Sequence, residues 1–465
     1  MPAGLISDPE VIAGYLRDAS NTCGHAIGLL RPGSASEIAE IFVQAQAQGI
    51  AITVSAERTS TTGGPVPHGG WVLSTEGLSG LRIQGDQVRV GAAVRLGEVQ
   101  QAAGEQGLFY PPDPTSWESC SVGGTIACNA SGARSFCYGP TRPWVLSAEV
   151  VWADGRVQEV DRKTPVPADW PVPKWTPPKV KNATGFFPAD NLLDLIIGSE
   201  GTLGLVTAAT LRLLPLPEQV FSVLALFPDR QGGLNFVQLA RNEGPKPRLI
   251  EWYDSNCLEL IRARIPELPA QAQVAVWIEQ ETDLENQDSA IMDWADRIAA
   301  CGGLEDHTLL ACDPSSLQKL LHIRHAIPAG INEQVARNGM PKVGTDFSVP
   351  DAGLEEMMAA YDAVEMDHVL FGHVGDNHLH LNLLPTSPLE LEQAWAIWGA
   401  LYDRALSLGG TLSAEHGVGK VKAAYLRKLI GDQGIQEFVA LKRAVDPAWI
   451  LGRGTLLAAP VTTSV

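Results

Sequence analysis

The chain is 465 residues long, more than one ordinary hydrophobic core organises, so two or three domains are expected. A hydrophobic content of 45% with 19% charged residues describes a soluble globular protein, and a net charge of -19 argues against a nucleic-acid partner while permitting a small anion in a locally basic pocket. The seven cysteines contain no C-x-x-C pair, which disfavours a disulfide framework or an iron-sulfur cluster.

Met1-Pro2-Ala3-Gly4 lacks a basic, then apolar leader, and no apolar run approaches the ~18 residues of a membrane span. The expectation is a cytoplasmic protein without a transmembrane segment, at most peripheral to the inner membrane. Residues 8 to 20 read as a lead-in helix. Ser34 caps a second helix with Glu37 at the capping-box position, Ile38, Ile41, Phe42 and Ala45 as its buried stripe, and Gly49 as its stop.

A strand over 50–54 enters a hydroxyl-rich loop from Ser55 to Gly64. Amides and hydroxyls at such a turn suit phosphate oxygens, although loops of this composition are commonly only turns. Strands over 71–74, 81–84 and 87–91 and a helix over 96–106 follow. This mixed order, with no G-x-G-x-x-G after a first strand, argues against a nicotinamide-binding Rossmann domain.

Tyr110 to Thr115 is a rigid proline turn. From Ser121 to Gly132 there is no charge and no large side chain, a composition that suits either a close-packed turn or backbone against which a flat ligand can press. A strand over 148–152 leads through Asp154-Gly155 to a proline-rich surface excursion over 161–181. Gly198, Gly201 and Gly204 then surround Glu200, and Pro215-Leu216-Pro217 marks a domain boundary.

Beyond it, strands over 220–227, 247–253, 273–279 and 308–311 alternate with helices over 231–242, 255–263 and 284–301. That is the pattern of a ferredoxin-like antiparallel sheet. The densest ligand chemistry lies at 371–383, where three of the ten histidines fall close together. Leu379, Leu381 and Leu383 alternate with His378, His380 and Asn382, as in a half-buried strand with a polar face. His373 and His380 differ in parity, so one straight strand cannot aim both at one point; Gly375-Asp376-Asn377 supplies a turn that can. A polar strand face with a satisfied histidine is the plainer alternative, and a third ligand from elsewhere decides between them.

The order of the hydroxyl-rich loop, Pro112-Asp113-Pro114, Gly123-Gly124 with Asn129 and Gly132, Asp154-Gly155, Lys181-Asn182-Ala183-Thr184-Gly185 and Gly198 to Gly204 resembles the PCMH-type FAD-binding domain of the vanillyl-alcohol-oxidase superfamily. The second half resembles the C-terminal domain of its FAD-linked dehydrogenase branch, which contains D-lactate dehydrogenases, the glycolate oxidase FAD subunit and D-2-hydroxyglutarate dehydrogenase. The resemblance implies an α+β chain: a lead-in over 1–21, an FAD-binding domain of two α+β subdomains over 22–215, a ferredoxin-like substrate and metal domain with a C-terminal helical segment over 216–455, and a tail over 456–465.

It also implies roles. His373, His380 and Glu415 match the family's metal ligands and His416 its active-site histidine; two imidazoles and a carboxylate suit zinc first, then manganese or iron. Arg324 and Lys342 match residues that hold the substrate carboxylate, and His378 stands where many relatives line the substrate pocket with asparagine.

FAD would be held by Arg58, Thr59, Ser60, Gly63, Gly64, Pro112, Asp113, Gly123, Gly124, Asn129, Ser131, Gly132, Glu200, Gly201 and Val206. The loop over 55–64 has no histidine of the kind that tethers flavin in some relatives, so non-covalent FAD is expected. Where relatives have Arg-Gly-Gly-Gly-Thr-Ser, this chain has Ser55-Ala56-Glu57-Arg58-Thr59-Ser60, and Arg58 is expected to supply charge to the pyrophosphate.

The implied activity is oxidation of a D-2-hydroxy acid to the 2-oxo acid, with a quinone, flavoprotein, cytochrome or oxygen as electron acceptor and a homodimer as the assembly. Three alternatives stand beside it. One is a catalytically idle subunit of a hydroxy-acid oxidase complex. Another is a flavoenzyme like the ether-lipid synthases, whose members pair His with His where this chain has Glu415-His416. The third, a metallohydrolase using the same three ligands, leaves the FAD motifs unexplained.

Overall fold

The computed structural model describes residue 2, residues 4–265 and residues 268–458, so the expected tail lies outside the described residues from 459 onward. The helix Ala35–Gln48 shows how locally the first half is built. Ser34 Oγ accepts the Glu37 N–H at 3.2 Å, Glu37 accepts the Gly33 N–H at 2.8 Å, and Gly49 ends the helix at a left-handed φ of 65°. Its apolar stripe packs on a parallel sheet ordered Gly28–Leu30, Trp71–Ser74, Ile52–Ser55.

A second, antiparallel sheet runs in the order Leu81–Gln84, Gln87–Gly91, Gly204–Arg212, Val145–Trp152, Val157–Asp161. These are the two α+β units of the first half, and the proline-rich stretch beyond Asp161 carries no regular element until Leu192.

Two local expectations change here. The lead-in helix is only Pro9–Ala13, ending at Gly14, and further on Asp18 turns the chain by accepting the N–H groups of Ser20 at 3.0 Å and Gly63 at 2.9 Å. The small-residue stretch is partly helical: Val122–Cys128 is capped by Ser121 and stopped by Asn129 at a φ of 47°. Its buried face is Val122, Thr125 and Ile126 at i, i+3 and i+4, a period confined to two turns and masked by the helix-disfavouring Gly123-Gly124.

The second half is an antiparallel sheet ordered Leu309–Ala311, Gln219–Phe227, Val274–Thr282, Leu249–Tyr253, His368–His373, His378–Leu383, Val343–Gly344, with Phe347–Ser348 also paired to His378–Leu383. Its first four strands, with the helices Arg230–Asn242 and Gln287–Ala300, have the ferredoxin-like order. Leu249–Tyr253 would be that unit's edge, but the histidine hairpin pairs onto it through Trp252↔Gly372 and Tyr253↔Phe371. The edge is thereby covered, and the histidines ride on a continuous sheet.

The chain then returns to the first half. After the helix Pro388–Ser407 and the stretch Ala423–Val445, two helices broken at Gly431 with φ 70° and ψ 178°, Ile450 and Leu451 enter the core around Ile52; the Ile52 N–H donates to Ile450 O at 2.7 Å and the Gly452 N–H to Ile52 O at 3.0 Å. Asp446 organises this turn, accepting the N–H groups of Ile450 at 3.0 Å and Leu451 at 2.8 Å while paired with buried Lys442 at 2.5 Å. Among the described residues no helix is long and apolar enough to cross a membrane.

Candidate active site

The hairpin register pairs His373 with His378 and Phe371 with His380. Opposed residues of an antiparallel pair share a face, as do next-but-one residues on a strand, so His373, His378 and His380 all project the same way. The turn Val374–Asp376 ends at Asn377, whose φ of 51° is a left-handed conformation that asparagine tolerates. The three ring centroids lie between 4.4 and 5.6 Å apart.

Glu415 arrives from the loop after Pro388–Ser407. Its Oε1 lies 3.2 Å from His380 Nε2, 3.5 Å from His373 Nε2 and 3.5 Å from His416 Nε2. On the far side of the rings, His373 Nδ1 is 3.1 Å from Glu251 Oε1 and His380 Nδ1 is 3.2 Å from Thr345 O. Oxygens in such positions set the tautomer that leaves Nε2 with its lone pair.

A divalent cation fits this cluster. His373, His378, His380 and Glu415 each offer a ligand atom within 4.8 Å of the others. His373 Nε2 and His378 Nδ1, both turned into the cluster, are buried without a hydrogen-bond partner among the described residues. Native interiors rarely leave polar atoms so, and imidazoles with one carboxylate are a donor set for zinc, manganese or iron.

His378 does not open towards a pocket. It is fully buried, with Nε2 2.9 Å from Asp346 Oδ1 and Nδ1 3.9 Å from Glu415 Oε2. The strand face expected to be half exposed is covered, because the Ser413–His416 segment is tied across it. The N–H groups of Ala414, Glu415 and His416 donate to Asp346 O, Oδ1 and Oδ2 at 2.8, 3.2 and 3.1 Å.

Asp346, not among the expected site residues, is the hub of this arrangement. Its Oδ2 also accepts from Ser413 Oγ and from Lys422 Nζ at 2.7 Å, and lies 3.5 Å from His416 Nδ1. Against the cost of burial, His416, Lys422 and His378 hold the Asp346 carboxyl well below the usual carboxylate range. Burial brings the His416 imidazolium down to about 4 against the pull of Asp346 and Glu415, so the ring is neutral near neutral pH. The signal for Asp346 was an acid set among apolar strand residues, between Val343 and Phe347.

Arg324, on the helix Pro314–Asn338, forms a bidentate pair with Glu251, Nε to Oε2 at 3.0 Å and Nη2 to Oε1 at 2.9 Å. Lys342 donates to Asn382 Oδ1 at 2.7 Å and has no carboxylate within ion-pair distance among the described residues. Both flank the histidines, Arg324 behind His373 through Glu251 and Lys342 beyond His380 through Asn382. Lys181, in a motif noted only for its resemblance, places Nζ 2.8 Å from Glu415 Oε2.

A cavity of about 590 Å³ leads to this cluster. Arg58, Thr59, Ser60, Gly64, Gly123, Gly124, Ser131, Glu200, Gly201 and Val206 line it, together with Glu415 and His416 at its end. A Cβ added at Gly64 would have no atom nearer than 3.9 Å, so a side chain there would occupy the cavity. This open floor of backbone fits a flat, extended cofactor such as FAD.

Gly63, Pro112, Asp113, Asn129 and Gly132 stand behind the lining. Asp113 Oδ1 accepts the Arg134 N–H at 3.1 Å, Asn129 Oδ1 accepts the Arg142 N–H at 3.0 Å, and a Cβ on Gly132 would fall 2.1 Å from Asp113 O. Arg58 lines the cavity, but its guanidinium lies 4.6 Å over the Tyr15 ring and donates to Ala56 O at 2.9 Å, so its charge is partly engaged by the lead-in. Pro114, Ser116 and Asn332 line the cavity without having been expected to.

Two family models match the chain. Residues 26–161 match the model of an FAD binding domain, and residues 216–456 match the C-terminal domain of FAD linked oxidases. The chain is 32% identical to a D-2-hydroxyglutarate dehydrogenase of Xanthomonas citri pv. viticola, covering 97% of this chain and 94% of that protein. It is 30% identical to a D-lactate dehydrogenase of Archaeoglobus fulgidus, covering 92% and 91%. A solved alkyldihydroxyacetonephosphate synthase is similar with a TM-score of 0.70 at 16% identity, covering 97% of this chain and 82% of that one, which is a likeness of fold. With both halves matched and a cavity fit for the cofactor between them, the chain belongs to the FAD-linked oxidase family of oxidoreductases.

Proposed function

We propose that the chain oxidises a D-2-hydroxy acid, of the lactate, glycolate or 2-hydroxyglutarate type, to the 2-oxo acid with non-covalently bound FAD and a divalent metal. One observation carries this reading: the glycine-floored cavity ends on Glu415 and His416, beside the converging Nε2 atoms of His373 and His380. The D-lactate and D-2-hydroxyglutarate dehydrogenases that are similar over nearly the whole chain support the substrate class.

His373, His380 and Glu415 hold the metal, with His378 as a buried neighbour. When bound, FAD supplies an acceptor for the C2 hydride and the metal a Lewis acid for the substrate oxygens. His416 is the general base. Its neutral ring turns Nδ1 towards Asp346, 3.5 Å away, and leaves Nε2 to take the hydroxyl proton. Asp346 then stabilises the imidazolium, in the manner of the acid of a catalytic triad. Lys342 offers the carboxylate a point charge, and Arg324 offers Nη1, the guanidinium nitrogen that Glu251 does not engage.

The test is anaerobic mixing of FAD- and zinc-loaded protein with D-lactate, glycolate and D-2-hydroxyglutarate. At least one acid should bleach the flavin absorbance, and a chelator should abolish the bleaching. A flavin that none of the three reduces in metal-replete protein overturns the proposal.

A further inference from the structure

Lys181 is a buried cation that none of the chemistry above uses. It comes from the proline-rich excursion of the FAD-binding half, and its side chain is only 4% exposed. Its Nζ lies 2.8 Å from Glu415 Oε2, donates to Gly132 O at 3.2 Å and stands 3.8 Å from Asp376 Oδ2. Asp376, in the turn of the histidine hairpin, is itself held by Ser135 Oγ at 2.6 Å. One ammonium therefore joins the backbone behind the flavin cavity, the histidine turn and the carboxylate of the metal site.

Glu415 consequently divides its two oxygens. Oε1 faces the Nε2 atoms of His373, His380 and His416, whereas Oε2 is turned to Lys181. Rotating the carboxylate to present both oxygens to the imidazoles would break a desolvated ion pair, and burial makes that expensive. The ammonium also places a positive charge beside the point where a cation would sit, which opposes the binding of that cation.

We propose that Lys181 is a positioning residue that keeps Glu415 a one-oxygen ligand, so that the site gives up metal affinity and keeps the bound cation electrophilic and open to the oxygens of the hydroxy acid. This inference rests on the metal-site reading above. It has a signature that a structural role lacks: removing the ammonium tightens metal binding while it weakens substrate binding and slows the reaction.

The experiment titrates zinc(II) into FAD-loaded wild type, Lys181→Met and Lys181→Arg in competition with a chromogenic chelator, and then measures KM and kcat for the best hydroxy acid. Loss of one unit charge close to a dication should tighten zinc binding by about tenfold in Lys181→Met, with KM raised and kcat lowered by similar factors. Lys181→Arg keeps the charge and should bind zinc within about threefold of wild type. Lys181→Gln, which can still donate to the Gly132 carbonyl, repeats the test if Lys181→Met does not fold.

Zinc affinity equal to or weaker than wild type in the neutral variants overturns the proposal. So does failure of both neutral variants to fold, which would make Lys181 a structural residue. A wild-type chain that binds no zinc overturns the metal-site reading itself, so the two failures are distinguishable.

Discussion

The Glu200 carboxylate accepts the N–H of Gly419 at 2.8 Å, and with its other oxygen the N–H of Val418, also at 2.8 Å. Glu200 lines the cavity, and Gly419 closely follows Glu415-His416, so this contact ties the loop that carries those two residues to the cavity wall. Gly417, between His416 and Val418, has a φ of 76°, and a Cβ there would lie 3.0 Å from the Glu200 carboxyl carbon. A glycine is required for both reasons.

Glu200 should make stability depend on pH. Burial pushes its carboxyl up to about 7 from 4.5, although the two backbone N–H groups favour the ionised form. The folded chain thus holds the proton more tightly than the unfolded chain. Its stabilising contribution is complete below pH 4.5 and is lost as pH rises through about 7. Across that window wild type should lose about 1–3 kcal/mol relative to Glu200→Gln. Calorimetry of both proteins at several pH values measures this, and parallel pH slopes would show that Glu200 does not titrate there.

Asp346→Asn should separate chemistry from cofactor binding. It leaves Lys422 buried without a counter-charge, at a cost of about 3–5 kcal/mol, and offers His416 Nδ1 a neutral amide in place of an anion that can stabilise its imidazolium. Flavin should stay bound while its anaerobic reduction slows by about 100-fold or more. Stopped-flow absorbance checks this; wild-type reduction would remove Asp346 from the mechanism.

The histidines should divide two against one. His373→Ala and His380→Ala should lose zinc, whereas His378→Asn, which disturbs a neighbour held by Asp346, should weaken zinc by about 10–100-fold. Metal analysis after gel filtration distinguishes them. Equal loss in all three variants would make His378 a ligand.

Gly64→Leu should exclude FAD without unfolding the chain. The nearest atom to its added Cβ is Glu200 Oε2 at 3.9 Å, so the side chain enters open cavity and not packed core. The expected product is a folded, colourless protein with wild-type zinc content. Retention of yellow flavin in it would move the cofactor elsewhere.

Much of the site is legible along the chain because its signals are local. Ser34, Glu37 and Gly49 bound a helix by capping chemistry that acts within a few residues. Gly375-Asp376-Asn377 predicts the hairpin turn, and side-chain parity demands it once His373 and His380 are asked to meet. Other expectations change where composition hides or misleads. The helix Val122–Cys128 shows its period only in Val122, Thr125 and Ile126, and the two glycines between them read as a turn. The alternation over His378–Leu383 predicts an exposed polar face, but a loop some thirty residues later covers it, and His378 and Asn382 are buried.

Residue type and turn chemistry, which the sequence carries by itself, determined which groups can ligate, donate or accept, and which short segments bend. The tertiary structure decided which of those groups meet. Lys181 with Glu415, Asp346 with His416 and Arg324 with Glu251 are contacts between segments remote in the chain. Antiparallel register, loop crossing and the packing of the two halves bring them together, and these are relations between segments that leave no periodicity or cap signal in either one.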